Sequence, residues 1–130
     1  ILKSGTKAPS ERIPNKIKLL LELKKQGIWL VDASIIALYN KGIKPSNDVF
    51  NEVIKTSWNH YTKNLIADAK PNHVIIVGKG VAKNIESSLS SLDGSNNYTI
   101  IPQPQAHLPA KEHLSNFQKY YSICSSNQTN

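Results

Sequence analysis

The sequence predicts an α/β fold, a three-layer α/β/α arrangement around a short parallel sheet. Three observations carry this. Apolar runs short enough for buried strands fall at residues 28–31, 74–77 and 98–101. Segments of helical periodicity surround them, in the order α-β-α-β-α-β-α. The crossovers are long enough for right-handed βαβ units, which parallel pairing requires.

Residues 1–10 show no periodic pattern and read as a linker or entry loop. Residues 11–124 read as one α/β domain, and 125–130 as a frayed tail. From Glu11 the pattern is helical, with Pro14 in a first turn and Ile17, Leu20, Leu21 and Lys24 at helical spacing. Lys24 and Lys25 suit the dipole of a last turn, and Gly27 is a natural stop. Ile28-Trp29-Leu30-Val31 then reads as a first strand, ending at Asp32-Ala33-Ser34. A turn-rich stretch over 40–45 follows, and Asn47 and Asp48 supply capping oxygens for the clearest helix. In that helix Phe50, Ile54, Trp58, Tyr61, Leu65 and Ala69 recur at steps of 4, 4, 3, 4 and 4, one apolar stripe stopped by Pro71. The second strand closes on Gly78-Lys79-Gly80. Val81, Ile85, Leu89 and Leu92 line the next helix, which Asp93-Gly94 ends. The third strand breaks at Pro102, and the loop over 102–109 leads to a last helix with Leu114, Phe117 and Tyr121.

A chain of 130 residues suits one domain, and 39% hydrophobic with 19% charged residues excludes disorder throughout. No apolar run approaches the ~20 residues of a membrane span, so no membrane partner is expected. The first residues carry no apolar core of a signal peptide. The single cysteine, Cys124, excludes an internal disulfide and reads as a buried thiol in a reducing compartment, cytoplasmic or nuclear. Methionine is absent altogether, which points to a missing upstream segment that completes the fold. The net charge of +7 fits a polyanionic partner or a lysine-rich solvated surface. Of the 16 basic residues only Arg12 is not lysine, a make-up suited to neutralising phosphates and poor at bidentate reading of bases.

Ligands of open parallel sheets bind beyond the carboxyl ends of the strands. Those ends bring Asp32 and Ser34, Lys79 and Gly80, and Gln103, Pro104, Gln105 and His107 to one edge. Asp32 is either a ligand group or a cap for the segment after it. Gly78-Lys79-Gly80 is either a phosphate-holding entry to a helix or a tight turn, and it matches neither the Walker nor the dinucleotide glycine pattern. His107 is either an acid/base group or a hydrogen bonder of its loop. His60 reads as exposed, His73 and His113 as isolated. No His or Cys spacing suits a metal and no nucleophile elbow occurs, so no metal or cofactor is expected.

These pieces, in this order, resemble the uracil-DNA glycosylase superfamily over nearly the whole chain, from Glu11 to Cys124. Residues 23–34 look like the family's entry to its second strand. The helix with Trp58 and Tyr61 is similar to its W-x-x-[FY] helix. Residues 74–82 resemble its third strand and glycine-lysine turn, and residues 101–105 fall where it has a His-Pro-Ser loop on DNA. The resemblance implies a DNA glycosylase of base excision repair, which flips a damaged base and hydrolyses its N-glycosidic bond. By it Asp32, with Ser34, reads the base. Gln103 stabilises the departing base, with His107 compensating for the lost titratable group. Lys79, Gly80, Pro104 and Gln105 hold the DNA backbone. Asp where the family has Asn is acceptor-only, which suits an exocyclic amine and not the O4 of uracil. Two other readings stay open: a non-catalytic nucleic-acid-binding relative, and an unrelated doubly wound domain holding a small phosphorylated ligand at residues 78–80.

Overall fold

The computed structural model describes residues 8–38, 42–93 and 97–126. The entry loop over 1–7, the turn residues Asn40 and Lys41, the stop at Gly94 and the tail from 127 lie outside them. The chain divides into two compact units, one of Ile1–Val31 with Cys124–Asn130 and one of Asp32–Ile123.

In the first unit, helix α1 (Pro9–Lys25) begins two residues before Glu11, with Pro9 at its start after an extended Ala8. Pro14 therefore lies inside the helix and not in its first turn. The expected stop at Gly27 is there, in detail. Gly27 adopts φ +76°, its N–H bonds the Lys24 carbonyl (3.0 Å), and the Ile28 N–H reaches back to Leu23 (2.9 Å). Residues 28–31, expected as a strand, are not one. Among the described residues no strand pairs with them, and Trp29 and Leu30 are exposed. The Trp29 ring instead lies under the Lys24 ammonium, 5.0 Å from its centroid. A short apolar run has β potential only where a partner satisfies its backbone, and the Ile28 N–H is already taken by the helix end.

The second unit is mixed helix and sheet. Helix α2 (Asn47–Ser57) is capped by Ser46, whose Oγ accepts from Val49 N–H (3.3 Å), so Asn47 and Asp48 sit in the first turn and not at the cap. A π-helical turn (Trp58–Thr62) and α3 (Lys63–Ala69) continue it without a break. The extra residue of the π turn, closed by the Lys63 N–H on the Trp58 carbonyl, shifts the core-facing positions after it forward by one. Thr62 and Ile66 consequently face the core where Tyr61 and Leu65 were expected. Tyr61 is left half exposed. Strands β1 (Val74–Val77) and β2 (Tyr98–Ile101) pair in parallel, Val74 opposite Tyr98 and Val77 opposite Ile101, joined through α4 (Lys79–Asp93). The last helix is α5 (Ala110–Ser126), which includes the expected start of the tail.

Ile54, Trp58, Ile76, Ala82, Ile85 and Leu89 form the buried core, with α2 and α3 packed on α4 and α4 on both strands. Trp58 anchors it: the indole is 2% exposed and its Nε1–H donates to Ser88 Oγ (2.9 Å). No helix of the described residues is long and apolar enough to cross a membrane.

Candidate functional site

Parallel pairing brings the carboxyl ends of β1 and β2 to one edge, and the ladder runs one bond past β1, from Gly78 N–H to the Ile101 carbonyl (2.7 Å). Gly78 is buried at φ +104°, a conformation that only glycine takes without strain, and the chain enters α4 directly after it. The Gln103 side chain lies against this turn. A Cβ on Gly78 would come 3.3 Å from Gln103 Cγ and 3.4 Å from Nε2. After β2 the loop folds back on itself, Ala106 N–H to the Gln103 carbonyl (2.9 Å). His113 of α5 tacks it down by donating from Nε2 to the Ala106 carbonyl (3.0 Å). His113 is thus no isolated residue. Nor is His73, which shares a hydrogen bond with Thr99 Oγ1 (3.0 Å).

A cleft of about 450 Å³ opens here. Gly78, Lys79, Gly80, Val81 and Lys83 line it from α4 and its entry, Pro102, Gln103 and Ala106 from the loop. The remaining wall is Lys44, Pro45, Asn47, Phe50 and Asn51, from α2 and the segment before it. Among the described residues, the charged side chains that line it are all lysines. With the positive end of the α4 dipole, that favours anions.

The chain finds no match among family models, curated proteins or solved structures. What the site can do therefore rests on its own geometry. The structure brings Lys79, Gly80 and Gln103 into one cleft. Pro104, Gln105 and His107 are exposed and are not among the residues that line it, although Gln105 Nε2 donates to Gln103 Oε1 (3.3 Å) and so orients Gln103. Asp32 and Ser34 line a different depression, of about 430 Å³, formed by residues 32–38 alone. Ser34 is committed to that turn: its Oγ donates to the Ile36 carbonyl (2.7 Å) and accepts from Ile36 N–H (3.3 Å). The capping role open to Asp32 in the sequence is filled by Ser34.

Sequence reasoning missed the α2 wall. Phe50 was read only as part of the core stripe, and Asn51 not at all. One signal was present in Gly80, a glycine in the first turn of a helix, where something approaches closely. That something is Phe50, whose Cε1 would lie 3.3 Å from a Cβ at position 80. Among the described residues no three His, Cys, Asp or Glu are grouped to hold a metal.

Proposed function

We propose that this chain is a uracil-DNA-glycosylase-like protein, with the three-layer α/β/α arrangement of that family, which grips DNA through the cleft and hydrolyses the N-glycosidic bond of a flipped base. The observation that supports this best is the packing of Gln103 on the Gly78 turn at the shared strand edge, beside Lys79 and Lys83. Lys44, Lys79 and Lys83 neutralise backbone phosphates, an interaction that fixes position without reading sequence. With its carbonyl oxygen held by Gln105, Gln103 offers N–H to the base that leaves as an anion. Water supplies the hydroxyl added to the sugar carbon, and the departing base takes up the proton. Asp32, acceptor-only, pairs with an exocyclic amine of the extruded base.

The test is excision from duplexes carrying uracil, hypoxanthine or alkylated bases, read as alkali-labile abasic sites. Release of an amine-bearing base is expected, and Gln103→Ala should slow it about 100-fold or more. Absence of both product and DNA binding at low salt would overturn the reading. A second reading, a nucleic-acid-binding relative without the chemistry, is favoured by the separation of Asp32 and Gln103 into two depressions. It expects salt-dependent binding and no abasic product.

A further inference from the structure

Most of the surplus charge belongs to the unit of α1. Ile1–Val31 with Cys124–Asn130 carries seven basic residues against two acidic, a net of +5, whereas Asp32–Ile123 carries nine against seven, a net of +2. Five of the seven cations, Arg12, Lys16, Lys18, Lys24 and Lys25, stand on α1. None of these five lines the cleft or the depression at Asp32.

The same helix leaves an apolar row uncovered. Ile13, Ile17 and Leu21 recur every fourth residue, each more than half exposed, and none of the described side chains of α1 is buried. Beyond the Gly27 turn, Trp29 and Leu30 add to the exposed apolar surface. A helix of this length draws its stability from packing an apolar face, so the row calls for a covering surface. At 3.6 residues per turn, Lys18 and Lys25 flank the row on one side and Lys16 on the other, each roughly 80–100° round the helix from its middle. Glu11 and Glu22 lie farther back, roughly 120–140° away. Lys24 stands at the end of the row, its ammonium over the Trp29 ring at 5.0 Å from the centroid.

Charge and apolarity together narrow the partner. A nucleic-acid backbone engages lysines and offers nothing to cover isoleucine and leucine. A second copy would set one +5 unit against another. A protein helix would need grooves matched both to the row and to Trp29 and Leu30 beyond the turn. An anionic lipid surface needs no such match. Its headgroups take the flanking lysines and its acyl boundary takes the apolar row, while a Trp beside a Lys suits the zone between them. No described helix is long and apolar enough to cross a membrane, and a helix of this kind lies in the plane of the surface instead.

We propose that α1 and Trp29–Leu30 dock on an anionic lipid surface, with Ile13, Ile17 and Leu21 turned inward and Lys16, Lys18 and Lys25 on the headgroup phosphates. This surface goes beyond the nucleic-acid reading and does not depend on it.

Co-sedimentation of the full chain with vesicles tests it, comparing phosphatidylcholine alone with phosphatidylcholine carrying about 30% phosphatidylglycerol. The anionic vesicles should bind about tenfold more tightly or better. Ile17→Gln/Leu21→Gln keeps every charge and should weaken that binding about tenfold or more. Lys18→Gln/Lys25→Gln should weaken it by about the same factor. No binding, or equal binding to both kinds of vesicle, overturns the proposal, and that comparison needs no variant. Binding to anionic vesicles that survives Ile17→Gln/Leu21→Gln also overturns it, as adsorption by charge alone. Two further measurements on that variant cover the other occupants. A dimer that it disperses in gel filtration assigns the row to a second copy. A lowered affinity for a duplex of about 20 base pairs assigns it to nucleic acid. Either result overturns the lipid proposal, and neither bears on excision at the cleft.

Discussion

Two buried hydroxyls of the second unit have opposite consequences. Ser57, 1% exposed, accepts from the Ile35 N–H (3.2 Å) and ties the 32–38 turn to α2. Thr62, 5% exposed, has an Oγ1 with no hydrogen-bond partner among the described residues. A buried polar group without a partner loses its water and gains nothing in return, at a cost of about 1–3 kcal/mol. Thr62→Val keeps the shape and removes that group. It is expected to raise stability by about 1 kcal/mol, seen as a melting temperature higher by about 2–8 °C. Ser57→Ala does the reverse, leaving the Ile35 N–H unpaired, and should lower stability by about 1–2 kcal/mol. Thermal unfolding of both variants checks the pair, and the same sign for both would refute the assignment.

At the scale of elements, the strand runs at 74–77 and 98–101 and the helices around them were legible because local pattern and punctuation agree there. Pro71 and Pro102 mark two boundaries, and each run pairs with the other. Residues 28–31 have as good a run and form no strand, because strand formation depends on a distant partner that a local pattern does not contain. The stripe from Phe50 to Ala69 fails midway for another reason. A π turn is a one-residue change of register, and it exchanges Tyr61 for Thr62 without altering which residues are apolar. The glycine turn between β1 and α4 makes a sharper demand. Gly78→Ala would place a side chain at φ +104° and push on Gln103. A loss of about 1–3 kcal/mol is expected from the backbone alone. Under the proposed function, excision and DNA binding should fall together with it, a coupling that activity assays at a temperature well below melting would show.

For the whole molecule, topology alone predicts that Lys79, Gly80 and Gln103 come to one strand edge, and the three line one cleft there. The α2 wall was not legible, since its approach to α4 depends on packing around Trp58 and on the Asn51–Asn84 contact, which join residues 30 or more apart in the chain. Three of the sixteen basic residues, Lys44, Lys79 and Lys83, line the cleft. Lys79→Gln is expected to weaken binding to all DNA sequences alike and to lower the slope of log affinity against log salt by about one. The α5 variant Lys119→Gln, in the same unit and not among the residues that line the cleft, serves as control and should leave the slope within a few tenths of its value.

The two tryptophans have an optical consequence. Trp29, more than half exposed, belongs to the unit of α1, and Trp58, fully enclosed, to the unit of the sheet. Emission from the chain is therefore the sum of a red, quencher-accessible component and a blue, protected one. Trp29→Phe should abolish the iodide-sensitive part and leave a single emitter. The colour of that emitter during denaturation then follows the sheet-bearing unit alone.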